Sequence, residues 1–123
     1  MTIGILEDYQ ALGRILKISL ELAGHTVYTA QTIADFVTFV TSSASIDLII
    51  VDFRLLAERS EGKLSGVDVI RQVRTIYPDL PAILISAAPV ATLQAATIGL
   101  SRVKILSKPF KMGTLLEIIK TIT

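Results

Sequence analysis

Cysteine is absent from the 123-residue sequence, so neither a disulfide scaffold nor a thiolate metal site is available, which fits a reducing compartment. No apolar run approaches the roughly 18 residues that a membrane-spanning helix needs. Neither sign of charge is in excess. Twelve Lys and Arg stand against eleven Asp and Glu, and the basic residues are scattered instead of gathered into a block or a one-sided helical stripe. That balance lacks the electrostatic footprint of a nucleic-acid surface, and no direct nucleic-acid partner is expected. The opening Met1-Thr2-Ile3-Gly4 lacks the basic region, apolar stretch and small-residue cleavage site of a secretory signal. Repeats, low-complexity tracts and linkers long enough to divide two domains are also missing. The expectation is one cytoplasmic domain over residues 1–123, with no membrane segment.

What is abundant is apolar side chain: 51% of residues are hydrophobic and the mean hydropathy is +0.63. In a soluble protein that excess belongs in a sheet covered on both faces. Asp47-Leu48-Ile49-Ile50-Val51-Asp52 has the form of such a strand, four consecutive apolar residues ending in an acid. Thr2 to Leu6 repeats the form and closes on Glu7-Asp8. His25 to Ala30, Ala82 to Ser86 and Val103 to Ser107 supply three more short strands. Between them the period changes to that of a helix. The first helix is read with Leu12, Ile15, Leu16, Leu22 and Ala23 on its buried face and Gly24 as its stop. The second, opened by Thr32, buries Ile33, Phe36, Val37 and Val40. The third follows Gly66, with Val67, Ile70, Val73, Arg74 and Ile76 on one face, and ends before Pro78-Asp79-Leu80-Pro81. The fourth runs from Val90 to about Ile98, with Pro89 suited to its first turn and Gly99 as its stop, and the fifth, Met112 to Ile122, buries Leu115, Ile118, Ile119 and Ile122. The single histidine, His25, sits just past a helix C-terminus, a dipole-favoured place, and is not read as a ligand.

Regular β-α alternation implies a parallel sheet with right-handed crossovers and helices on both faces. Among doubly wound folds, the flavodoxin-like (βα)5 order 2-1-3-4-5 fits five units and sets strands 1 and 3 side by side at the switch point. The carboxyl ends of the strands then carry Glu7 and Asp8, Asp52, Ser86 and Ser107-Lys108. Three carboxylates at one edge raise each other's pKa unless a cation offsets them. Oxygen ligands at a partly open site suit Mg²⁺, and a lysine with a hydroxyl suits phosphoryl oxygens. Each residue also has a plainer reading alone: Asp8 as the N-cap of the first helix, Ser86 as a turn serine, Lys108 as a solvated lysine before a turn.

At these positions the chain resembles the receiver domains of two-component response regulators. Glu7-Asp8 is similar to the acidic pair, Ile49-Ile50-Val51-Asp52 to the phosphoacceptor strand, Gly66 to the glycine opening the third helix. Ser86-Ala87 is similar to the Thr/Ser-Ala step, Lys108-Pro109-Phe110 to the Lys-Pro-Phe turn, and Tyr77 to Pro81 to the usual exit of the third helix. The resemblance implies that Asp52 accepts a phosphoryl group from a histidine kinase or histidine phosphotransfer protein. It implies Mg²⁺ on Asp8, Asp52 and the carbonyl of Arg54, with Glu7 acting through water. Ser86 and Lys108 would hold the phosphoryl oxygens, and the Lys108-Pro109 bond is often cis in the family. Such a domain is not a turnover enzyme on an external substrate.

Three departures accompany the resemblance. The step from Asp52 to Gly66 is long, Leu56 stands where a proline is expected, and the extra segment Ala57 to Leu64 is charged and expected to overhang the site. Ile105, three positions before Lys108, replaces the aromatic switch residue. No output domain is expected after Thr123, and the nearly uncharged fourth helix, with the fifth strand and fifth helix, is the expected docking face for a downstream protein or a homodimer. The departures keep an alternative open, a phosphorylation-independent pseudo-receiver acting as an interaction module. A flavin- or nucleotide-binding protein of the same fold is opposed by Glu7-Asp8-Tyr9, which stand where a Gly-rich phosphate loop is needed.

Overall fold

The computed structural model describes residues 1–43, 45–54 and 65–122. Five apolar runs of five residues become strands: β1 Thr2–Leu6, β2 Thr26–Ala30, β3 Leu48–Asp52, β4 Ala82–Ser86 and β5 Val103–Ser107. The amphipathic stretches between and after them become α1 Gln10–Leu22, α2 Ile33–Ser42, α3 Gly66–Arg74, α4 Val90–Ala96 and α5 Met112–Ile122. All pairings are parallel and the order is β2-β1-β3-β4-β5, the flavodoxin-like arrangement expected from the alternation.

Burial follows position in the sheet. Every residue of the central β3 and β4 is buried, whereas the edge strands β2 and β5 each bury one. The pleat sends alternate side chains to two cores. Ile49, Val51 and Leu84 pack with Phe36, Val40, Ile70, Val73 and Leu93 from α2, α3 and α4. Leu48, Ile50, Ile83 and Ile85 pack with Leu16 and Leu20 of α1 and Leu115 and Ile119 of α5. A continuous apolar strand is stable here because each face has its own helical cover.

The helices differ in detail from the pattern. In α1 the buried residues are Gly13, Leu16 and Leu20, while Ile15 is 55% and Leu22 84% exposed and Ala23 is exposed. The helix has two apolar stripes at helical spacing, and hydrophobicity alone cannot say which one faces the sheet. Its end is as expected: Gly24 takes φ 98°, its N–H donates to the Glu21 carbonyl and the His25 N–H to the Leu20 carbonyl. Thr32 caps α2 by accepting from the Asp35 N–H at 3.2 Å. On α3, Val69 is buried, Ile76 is 53% exposed, and Arg74 spends its guanidinium on backbone carbonyls. Pro89 lies at the N-cap of α4, one residue before the helix, which ends at Ala96. The expected overhang Ala57 to Leu64, and Leu56, lie outside the described residues.

Candidate functional site

Register decides what meets at the carboxyl edge. Leu6 is paired with Val51, so the next residues, Glu7 and Asp52, sit side by side where β1 and β3 end. Asp52 is paired with Ile85 and Ser86 with Ser107, which brings Ser86 and then Lys108 to the same edge. The pleat places Glu7 in phase with Ile3 and Ile5, Asp52 with Leu48 and Ile50, and Lys108 with Leu106, all on the α1 and α5 side. The Lys108 ammonium accordingly lies 2.8 Å from Glu7 Oε1 and 3.5 Å from Asp52 Oδ2. Glu7, Asp8 and Asp52 each offer a carboxylate oxygen within 4.8 Å of the others. Asp8 is not the helix cap: Tyr9 holds the N-cap position, and the Tyr9 N–H donates to Glu7 Oε2 at 3.2 Å.

The remaining parts frame Asp52. The Arg54 N–H donates to Asp52 Oδ1 at 3.4 Å, while the Arg54 side chain is exposed. Ser86 Oγ accepts from the buried Ala88 N–H at 2.9 Å, so the turn reading of this serine holds, and among the described residues no acceptor takes its own proton. The Lys108 N–H donates to the Ser86 carbonyl at 2.8 Å, and the Lys108-Pro109 peptide is cis. Asp52, Arg54, Ser86, Ala88 and Lys108 line a cleft of about 240 Å³. Behind Asp52, Gly66 closes on the strand: its N–H donates to the Phe53 carbonyl, and a Cβ there would collide with the Asp52 carbonyl oxygen and lie 2.8 Å from Val51 Cγ1.

Electrostatics set the character of the cluster. Glu7 is 2% exposed and Asp52 5%, and burial pushes the Asp52 carboxyl up from 3.8 to about 7, the Glu7 charge adding to the rise and Lys108 opposing it. Two buried carboxylates share one lysine, a deficit of positive charge at a half-open edge. A hard divalent cation with oxygen ligands fits that donor set.

One contribution was not anticipated from the sequence. The Asp68 carboxylate accepts from the Ser65 N–H at 2.8 Å and lies 3.3 Å from Ser65 Oγ, closing a capping box at the start of α3. The pattern Ser65-x-x-Asp68 before an apolar run is the signal that would have found it. Ile105, in place of an aromatic residue, is half-buried and packs into the core shared with Leu93 of α4.

Comparison with known proteins agrees with this fold. The model of the response regulator receiver domain matches residues 3–120. The chain is 32% identical over 111 residues to the KDP operon transcriptional regulatory protein KdpE of Escherichia coli strain K12; that alignment takes in 90% of this chain and 46% of KdpE, so the chain spans about half the length of that relative. A response regulator receiver protein from Sinorhizobium medicae WSM419 superposes with a TM-score of 0.82 at 27% identity, covering 99% of this chain and 93% of that one. The chemotaxis protein CheY4 of Vibrio cholerae shares the fold at a TM-score of 0.86 and 18% identity, with 99% and 98% covered. The chain belongs to the response regulator receiver domain family of two-component systems.

Proposed function

We propose that Asp52 takes a phosphoryl group from the phosphohistidine of a histidine kinase or histidine phosphotransfer protein, in a Mg²⁺-dependent reaction, and that residues 1–123 act as one receiver domain. The observation that carries this reading is the cluster of buried Glu7 and Asp52 with half-buried Asp8, and Lys108 paired to the two buried acids, at the carboxyl edge of the sheet. In the transfer, an Asp52 carboxylate oxygen forms a bond to phosphorus as the phosphorus–nitrogen bond of the donor breaks, and the electron pair leaves with the imidazole. Lys108 stands within reach of both Asp52 and the incoming phosphoryl oxygens, and the Ser86 hydroxyl donates its free proton to one of them. Asp8, Asp52 and the Arg54 carbonyl are assigned to Mg²⁺, with Glu7 through water; the ion, when bound, offsets the charge of the carboxylates and of the phosphoryl oxygens. The domain ends the reaction phosphorylated and does not turn over an external substrate. Its output is a protein contact at the face of α4, β5 and α5, where Val90 is 46% exposed.

Incubation with acetyl phosphate and Mg²⁺, followed by intact mass, tests the reading. The expected result is one added phosphoryl group, abolished by EDTA and by Asp52→Asn. Ile105 in the switch position favours a second reading, an interaction module that works unphosphorylated. An unmodified wild-type chain selects that second reading, and equal modification of Asp52→Asn overturns the assignment to Asp52.

A further inference from the structure

The outer surface of α1 carries three of the exposed large hydrophobic side chains among the described residues, Ile15, Ile18 and Leu22. Ala11, Ile15, Ile18 and Leu22 follow one another at steps of four, three and four, the spacing of a two-helix seam. All four are exposed, Ile15 by 55%, Ile18 by 60% and Leu22 by 84%, while Gly13, Leu16 and Leu20 on the opposite side bury into the sheet. The stripe runs the length of the helix, about 20 Å. Contiguous exposed apolar surface of this kind marks an interaction site on soluble domains.

The flanking charges select the occupant. On one shoulder of the stripe are Arg14 and Glu21, both exposed and neither in an ion pair with another described residue. On the other are the uncharged Leu12 and Ser19. We propose that α1 is a self-association surface, pairing antiparallel with α1 of a second copy of this chain. In that arrangement Ile15 packs against Ile18 of the second copy, and Arg14 faces Glu21 twice about the two-fold axis. A parallel pair would set Arg14 against Ser19 and leave Glu21 facing beyond the helix end. The antiparallel register also brings Leu22, the most exposed apolar side chain, opposite Ala11, the smallest residue of the stripe. Ala11 and Ile15 border an apolar groove of about 620 Å³ that continues to Phe110 and Met112, a space able to receive that leucine. The interface stands apart from the α4 face, and its groove borders Ala87 and Lys108 at the edge of the site. A single short seam is at the small end of stable interfaces, so association is in the micromolar range or weaker.

Sedimentation velocity over a wide concentration range tests the proposal, with circular dichroism confirming that each variant is folded. The wild type is expected to pass from monomer to dimer, and Ile18→Glu to weaken association by at least tenfold. Arg14→Glu and Glu21→Arg alone are each expected to weaken it, and an equimolar mixture of the two to restore it, because the mixed pair has opposite charges at both crossings. A wild-type monomer at every concentration overturns the proposal, including one whose stripe is instead taken by a helix of a phosphodonor protein. A dimer indifferent to Ile18→Glu, or a mixture no more associated than its components, overturns it equally.

Discussion

Asp52 is held in two unfavourable circumstances at once, buried at 5% exposure and beside the equally buried Glu7, and Lys108 relieves only part of the strain on its charged form. A consequence for stability follows from its position near pH 7. The unfolded chain ionises this carboxyl near 3.8 and the folded chain near about 7, so between those values the folded form holds the extra proton. Stability of the metal-free protein therefore falls as pH rises through that window and stays low above it. Asp52→Asn removes the acid and is expected to stabilise the metal-free protein at pH 8 by roughly 1–3 kcal/mol, a gain that shrinks toward pH 4. Thermal unfolding of both chains in EDTA at several pH values checks this; a difference independent of pH contradicts it. Gly66 is the second sensitive residue, since any Cβ there meets the Asp52 backbone and Val51. Gly66→Ala is expected to cost roughly 1–3 kcal/mol in urea denaturation and, by displacing Asp52, to slow phosphorylation by acetyl phosphate roughly tenfold. At this scale the acids were legible because each one ends an apolar strand. The hydrogen bond from Ala88 to Ser86 was not separable in the sequence from a phosphoryl-binding role, because one hydroxyl can do both.

Elements are held to one another by contacts that leave little trace in sequence. Arg74 at the end of α3 donates to the Leu80 carbonyl from Nε at 3.1 Å and Nη2 at 2.8 Å, to Ser101 at 2.7 Å and to Arg102 at 3.2 Å. It ties α3 to the turns that lead into β4 and β5, at the end of the sheet opposite the acids. Tyr77 adds a second tie, its hydroxyl donating to the Ser43 carbonyl at 2.8 Å. Arg74→Ala is expected to cost roughly 1–3 kcal/mol by leaving carbonyls without donors, and Arg74→Lys to recover little of it, because one ammonium cannot reproduce the planar fork. Chemical denaturation of the two variants measures the difference; full recovery by lysine contradicts the assignment. A charged residue on an otherwise apolar face reads only as an interruption of the pattern, since its partners are backbone groups common to every sequence. In α1 the obstacle was the reverse. An excess of apolar residues made two faces equally plausible, and the sheet chose Leu16 and Leu20 over Ile15 and Leu22.

At the scale of the molecule, the strands, helices and sheet order of the described residues were legible because β-α alternation with doubly buried central strands admits few topologies, and parallel crossovers have one hand. The site followed from the same regularity: four strand ends on one edge carry acid, acid, hydroxyl and lysine, and the ladders align them to within a residue. What the alternation could not convey was the distance between groups, and so the sharing of Lys108 between Glu7 and Asp52. The central claim is that this edge directs phosphoryl transfer to a single carboxylate. Its most direct measurement is phosphorylation by acetyl phosphate with Mg²⁺, trapping of the acyl phosphate by borohydride, and peptide mapping by mass spectrometry. The account predicts reduction to homoserine at position 52 alone. Reduction at Glu7 or Asp8 in its place, or no reduced residue at all in a chain that is folded and metal-loaded, contradicts it.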